Sequence, residues 1–158
     1  MNPAIQQKKM KLYKKQLLEA YAPFGVVEVC HGEELAMYWE FNREKSLSSF
    51  IHRKEFSFYH PIRHAYLDKK EPYAKAWDYF SGHSNIFCEG ERLICFIQFK
   101  EEYFGLKLRF ANQVFQIICE LNQSELLLIN EELSKLLGLD RLEYVIEVVV
   151  FDEKNEKI

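Results

Sequence analysis

The clearest strand in this chain of 158 residues is the stretch RLEYVIEVVVF at residues 141–151. Its apolar side chains fall at every second position, namely Leu142, Tyr144, Ile146, Val148 and Val150. Two glutamates, Glu143 and Glu147, stand between them. A period of two residues is typical of a β-strand. The C-terminal part of the chain is therefore expected to be sheet.

The same period extends upstream of this stretch to residue 86. It predicts strands over residues 86–89, 93–100, 103–110, 113–121 and 126–129. A turn at Gly90-Glu91 is expected to join the first two. The first four strands are expected to form an antiparallel meander with one face exposed to water.

Between the last two predicted strands, the sequence favours a short helix over residues 131–137. Asn130 is a suitable N-cap, acidic side chains occupy the first turn, and Gly138 follows the end. Residues 128–139, followed by the strand to 151, locally resemble the swapped-hairpin transition-regulator motif. That family usually has proline where this chain has Asn130, and its DNA-facing surface is basic. Residues 120–158 carry a net charge of −6, so we transfer no DNA binding through this resemblance.

The N-terminal part reads as a mixture of helix and strand. Residues 4–21 have helical spacing of apolar positions and lysines on the opposite side, which predicts an amphipathic helix. Strands are expected over residues 24–30 and 35–41, joined by a hairpin at 31–34. Asn42 is expected to cap a short helix whose buried stripe is Leu47, Phe50 and Ile51. A further helix over residues 71–82 would bury Tyr73, Ala76, Trp77 and Phe80.

These elements indicate an α+β fold. We expect an antiparallel β-sheet of about six strands, mostly from the C-terminal half, packed against the N-terminal amphipathic helix and two or three shorter helices. Residues 1–152 would form a single domain, and residues 153–158 a polar C-terminal tail.

Composition excludes several classes of function. The chain is 48% hydrophobic and has only 6 Gly, and it contains neither of the common glycine-rich phosphate-binding motifs. Its 4 Cys include no CxxC pair, so we expect buried free thiols and no zinc knuckle. We expect no cofactor, no bound metal, no membrane span and no secretory signal, and hence a cytoplasmic protein.

Charge is distributed unevenly along the chain. Residues 1–16 contain five lysines and no acidic residue, whereas residues 120–158 contain ten acidic residues and four basic ones. The lysine side of the first helix could meet an acidic partner, nucleic acid or an acidic membrane. The pI of about 6.0 does not favour nucleic acid.

The leading hypothesis is a protein that binds another protein, as an adaptor, inhibitor or immunity-type protein. A surplus of aromatic side chains beside charged clusters is typical of binding surfaces. The candidate partner-binding residues are Lys8, Lys11, Lys15, Tyr59, His60, His64, Tyr66, Tyr73 and Trp77.

Two alternatives stay open. The first is a hydrolase, either metal-dependent or based on Cys and His, with a site near His60, His64 and His83. Cys30 would be its possible nucleophile. The second is nucleic-acid binding through the basic N-terminal helix. The oligomeric state does not follow from the sequence.

Overall fold

The computed structural model describes residues 2–60, 62, 65–66, 70–111, 125–142 and 144–156. The helices are α1 (Pro3–Tyr21), α2 (Ala36–Ser46), α3 (Lys70–Gly82) and α4 (Glu153–Glu156). The strands are β1 (Glu28–His31), β2 (His52–Ser57), β3 (Tyr59–His60), β4 (Ala65–Tyr66), β5 (Arg92–Phe99), β6 (Glu102–Arg109), β7 (Glu125–Asn130), β8 (Lys135–Arg141) and β9 (Val145–Asp152).

Seven of these strands form one antiparallel sheet in the order β1-β6-β5-β7-β8-β9-β2. This confirms the α+β class, with one strand more than the predicted six in the main sheet. The five central strands come from residues 92–152; four of them, β5, β6, β7 and β9, overlap predicted strands, whereas β8 does not. The two edges, β1 and β2, come from the N-terminal part of the chain. Strands β3 and β4 pair separately.

The sheet is covered on both faces over much of its area, because alternate residues of β1, β5, β7, β8 and β9 enter two different apolar clusters. Leu106 and Leu128 belong to the cluster under α1 and α3. Phe96 and Ile129 belong to the cluster under α2. The predicted water-exposed face is therefore wrong over much of the sheet, and most of β5 is buried in consequence.

Helices α1 and α3 confirm the two amphipathic helices that were predicted from sequence periodicity. In α1, Leu17 is 3% exposed and the ring of Tyr13 meets Phe99 edge-on, with ring centroids 5.7 Å apart. In α3, Ala76 and Phe80 are fully buried against the sheet. Both helices lie on the same face, since their buried side chains share one cluster.

Helix α2 replaces two predicted elements. The strand expected over residues 35–41 is a 3₁₀ turn followed by the first half of α2, because Leu35, Tyr38 and Phe41 recur at helical spacing and are buried together. Asn42 lies within α2 and caps no new helix. The stripe predicted beyond it is not formed, since Leu47 is 86% exposed and Phe50 is exposed as well.

The prediction of a helix over residues 131–137 is also wrong, because these residues form a turn and the start of β8. The local resemblance to the swapped-hairpin transition-regulator motif, which rests on that helix, therefore does not hold in the structure. Asn130 caps a tight turn, because its Oδ1 accepts hydrogen bonds from the backbone amides of Ser134 and Lys135, each at 2.9 Å. The chain then continues as β8, which pairs with β7 and β9. The last strand begins at Val145, four residues later than predicted.

Around β5 the turns also differ from the prediction. Residues 83–86 form a 3₁₀ turn, and no strand covers residues 86–89, so Gly90-Glu91 joins no hairpin. The predicted antiparallel pairing of the next two strands is confirmed, and Lys100 and Glu101 join β5 to β6 in a hairpin with φ of 52° and 65°. The strand predicted over residues 113–121 lies outside the described residues.

A close approach fixes α2 and its preceding turn onto the sheet. Gly105 of β6 is buried, and a Cβ added there would lie 2.4 Å from Cδ1 of Ile94 and 2.7 Å from Cδ2 of Leu35. Both distances are below any ordinary carbon contact. Glycine is therefore required here by space and not by its backbone angles.

Candidate functional site

A groove with a cavity of about 260 Å³ lies on the face of the sheet that α2 covers only in part. We call it the acidic groove. Its polar and aromatic lining residues include Trp39, Arg53, Tyr103, Glu125, Asp140 and Glu147. They come from α2 and from five different strands.

Strand register brings the three carboxylates together. Glu125 of β7 lies opposite Asp140 of β8, and Asp140 lies opposite Glu147 of β9. Directly opposite residues of an antiparallel sheet point to the same face. The three acids therefore form a row across neighbouring strands, a placement in which like charges destabilise the sheet.

Only one end of this row is neutralised. Nη1 of Arg53 donates a 2.8 Å hydrogen bond to Oε1 of Glu147, and Nη2 of the same guanidinium donates to the backbone carbonyl of Ser46. At the other end, the hydroxyl of Tyr103 donates to Oε2 of Glu125 at 3.0 Å. Within the described residues, neither Glu125 nor Asp140 forms an ion pair with a lysine or arginine.

The electrostatics of the groove follow from this arrangement. Burial raises the pKa of Asp140, and the charge of Glu125 and a hydrogen bond with it raise the pKa further. Burial and the hydrogen bond to Glu125 also raise the pKa of Tyr103. The groove thus holds Asp140 closer to protonation than an isolated aspartate, since burial and Glu125 outweigh the hydrogen bond with the Arg141 backbone, which lowers the pKa of Asp140.

Aromatic rings form a wall of the same groove. Trp39 packs on Phe96, with ring centroids 4.4 Å apart, and meets Tyr103 edge-on at 5.3 Å. Tyr103 is 39% exposed. Aromatic faces beside carboxylates provide two independent sources of attraction for an organic cation.

The lysines of the predicted partner-binding set lie on α1. Lys8, Lys11 and Lys15 are exposed, and none forms an ion pair within the described part of the chain. By contrast, Lys14 reaches Glu34 at 3.1 Å and thereby ties α1 to the turn before α2.

The remaining described members of that set lie on α3 and in the small sheet. Tyr73 and Trp77 are partly buried and pack against the core, where Trp77 stacks on Phe80 at 5.7 Å. Tyr59, His60 and Tyr66 lie in the small sheet of β3 and β4, and His64 lies outside the described residues.

For the hydrolase alternative, His83 is the only one of the three histidines whose side chain the structure describes. Its Nδ1 lies 2.8 Å from the carbonyl oxygen of Tyr79, and its ring lies 4.2 Å from the Tyr79 ring. Its contacts are therefore those of a residue closing the end of α3. In the described ranges, no group of three or more His, Cys, Asp or Glu side chains is placed to hold a metal ion.

Cys30 is an unfavourable nucleophile. Burial raises the pKa of its thiol to about 11, so the thiolate is scarce at neutral pH. Neighbouring His31 is turned to the opposite face of β1, as expected for adjacent strand residues, and its Nε2 lies 3.1 Å from Oε2 of Glu102. Cys95 is buried like Cys30, but Cys88 is exposed, contrary to the expectation of buried thiols.

The acidic groove was not predicted from the sequence, because its carboxylates are neighbours only through strand register. One signal was present: Glu125, Asp140 and Glu147 each stand in or beside an otherwise apolar strand. A charged residue at such a position indicates either an uncovered part of the sheet or a site.

The chain has an α+β fold with an acidic, aromatic-lined groove. No protein-family model matches it, no curated protein is found that matches its sequence, and no solved structure is found that matches it. None of its described helices combines the length and the apolar character needed to cross a bilayer.

Proposed function

We propose that this protein acts by binding another protein, and that the acidic groove receives a lysine or arginine side chain of that partner. The observation that carries the proposal is the pair Glu125 and Asp140. These two carboxyl groups adjoin each other in a groove without a compensating cation from the described residues.

The size and lining of the groove support a side chain as the ligand. A cavity of about 260 Å³ is slightly smaller than the roughly 300 Å³ at which small-molecule pockets begin. A single long side chain fills such a space, and its aliphatic part can lie along Trp39 while its charged end meets the acids. Aromatic residues and arginine are also the most frequent binding hot spots.

An organic cation fits the groove better than a metal ion. The carboxylates of Glu125, Asp140 and Glu147 are spread along a row, and they are not gathered into a group able to hold a metal. A guanidinium or ammonium group can contact Glu125 and Asp140 together, because it carries several hydrogen-bond donors.

Binding of a cation is expected to release a proton. Burial and the adjoining charge of Glu125 raise the pKa of Asp140, and a bound cation lowers that pKa again. The affinity for a cationic ligand should therefore increase with pH across the range in which Asp140 titrates.

A direct test uses N-acetylarginine amide as the probe and follows the Trp39 indole by NMR. Its neutral isostere, N-acetylcitrulline amide, is the matched ligand. We expect the arginine compound to shift the Trp39 signal at low salt and the citrulline compound to leave it in place. The double variant Glu125→Gln/Asp140→Asn should abolish the shift, while the exposed acid Glu132 provides a control in Glu132→Gln. Equal shifts with both compounds, or none with arginine, would contradict the proposal.

A further inference from the structure

Helix α1 has two chemically different faces. Its inner face packs on the sheet through Tyr13 and Leu17. Three large aliphatic side chains nevertheless remain exposed, with Ile5 at 50%, Leu12 at 51% and Leu18 at 36%. Exposed aliphatic residues scattered singly need no explanation. Ile5 and Leu12, however, are seven residues apart and therefore lie on the same side of the helix.

The outer face of α1 combines those aliphatic residues with lysines. We define it by Ile5, Lys8, Lys9, Leu12 and Lys15, which follow helical spacing of three and four residues. All five are exposed. Lys8, Lys9 and Lys15 form no ion pair among the described residues, and residues 1–16 contain no acid.

From this arrangement we infer that the outer face of α1 docks on an anionic lipid surface. A helix with aliphatic side chains between lysines can lie in the plane of the interface, with its lysines among the headgroups. Phosphates of nucleic acid would attract the lysines equally well, but they offer nothing to Ile5 and Leu12. The combination of both residue types therefore favours lipid.

Charge on the rest of the chain determines the orientation. The net charge is −3, and residues 1–16 contribute +5, which leaves −8 on the other residues. An anionic surface attracts α1 and repels the remainder. Helix α1 and the acidic groove are on opposite faces of the sheet, so docking through α1 leaves the groove open to the solvent.

The test is sedimentation of the full chain with vesicles of phosphatidylcholine, alone or with one quarter phosphatidylserine. We expect binding to the anionic vesicles only, falling as salt is raised. The variant Lys8→Gln/Lys9→Gln/Lys15→Gln should weaken binding about 100-fold, at roughly fivefold for each lysine. The control Lys75→Gln/Lys100→Gln/Lys154→Gln removes the same charge from other elements and should bind at least half as well as the original chain.

The aliphatic part of the inference has its own variant, Ile5→Ser/Leu12→Ser, which leaves the charge unchanged. We expect it to weaken vesicle binding while its circular dichroism spectrum and thermal midpoint remain close to those of the original chain. No binding to anionic vesicles at low salt would overturn the inference. So would equal losses in the two lysine variants, or tighter binding to duplex DNA than to vesicles that is unaffected by Ile5→Ser/Leu12→Ser.

Discussion

Nζ of Lys135 lies 2.9 Å from Oε1 of Glu91, and the side chains are only 7% and 14% exposed. The other carboxylate oxygen of Glu91 accepts from Nδ2 of Asn130 at 2.9 Å. The pair therefore joins the turn before β5 to the turn between β7 and β8. Burying a charged group costs free energy, and in this pair each charge offsets that cost for the other.

Removing one partner should be costly. We expect Glu91→Ala to lower the free energy of unfolding by about 3 kcal/mol, because Lys135 would be left buried without a counter-charge. Denaturant unfolding measures this change. Glu89→Ala, two residues away and exposed, is the control and should change the free energy by less than about 0.5 kcal/mol. A similar loss in both variants would assign the effect to the turn and not to the pair.

The same pair predicts a loss of stability in acid. Burial alone would raise the pKa of Glu91, but hydrogen bonds from the Cys88 amide, Lys135 and Asn130 hold it below the ordinary value. A depressed folded-state pKa contributes stability that is present above the unfolded-state pKa, about 4.3 for Glu, and is lost as the pH falls through the folded-state value. Unfolding curves between neutral pH and acid should show this loss in the original chain and lack it in Glu91→Ala.

The contribution of Asp140 to the pH dependence of stability has the opposite sign to that of Glu91. The pKa of Asp140 is raised by burial and by Glu125, so protonation favours the folded state, and stability falls as the pH rises above about 4, the pKa of unfolded Asp. We expect Asp140→Asn to be more stable than the original chain at neutral pH and to lose this advantage in acid. Asp78→Asn on the exposed side of α3 is the control. An advantage that persists in acid would mean that the amide acts through packing instead of charge.

Gly105 is expected to tolerate no side chain. The Cβ of Gly105→Ala would meet Ile94 and Leu35 at distances well below contact, and overpacking of this kind costs about 2 kcal/mol. Chemical denaturation measures the loss. Gly82→Ala offers the matched comparison, because no atom lies within 4 Å of its added Cβ, and it should leave stability unchanged or slightly increased. A stable Gly105→Ala would show that α2 can shift away from the sheet.

The hairpin between β5 and β6 carries strain that substitution can relieve. Lys100 and Glu101 both have positive φ, which is unfavourable for residues with a Cβ and ordinary for Asn-Gly in a two-residue turn. We expect Lys100→Asn/Glu101→Gly to raise the free energy of unfolding by about 1 kcal/mol. Lys100→Ala still places a residue with a Cβ at each of the two positive-φ positions, and it should therefore not raise the free energy of unfolding. If the two variants have equal stability, the turn is not strained.

Thiol labelling tests the assignment of the cysteines. In a Cys119→Ser background, an alkylating reagent at pH 8 should modify exposed Cys88 first. Cys30 and Cys95 should react slowly, because burial raises their pKa values to about 11 and about 12. Peptide mapping by mass spectrometry identifies the modified residue. Rapid modification of Cys30 in the folded protein would restore it as a candidate nucleophile.

Local periodicity predicted the elements that are buried on one side. Helix α3 places Ala76 and Phe80 in the core on a single stripe, and in β6 the buried Leu106 and Leu108 alternate with Lys107 and Arg109. Where a strand is buried on both faces, this alternation disappears. The run from Lys135 to Leu139 is buried at every position, so its pattern could not distinguish a central strand from a buried helix.

The acidic groove could not be predicted for a related reason. Glu125, Asp140 and Glu147 lie on three strands whose order and register are properties of the whole sheet. Trp39 reaches them from α2, which the sequence indicated as a strand. A site made by pairing distant segments leaves only a weak local signal, whereas the lysines of α1 are visible because they lie on one helix.

The origin of the two edge strands has a consequence for folding. Strand β1 pairs with β6, and β2 pairs with β9, the last strand of the sheet. During synthesis the N-terminal part of a chain leaves the ribosome first. Strand β2 therefore cannot complete its pairing until β9, which ends at Asp152, has been synthesised. Until then, the ring of Phe41 lacks its contact with Phe151 of β9. An unpaired strand and an uncovered aromatic ring favour aggregation, and completion of β9 supplies the partner of each.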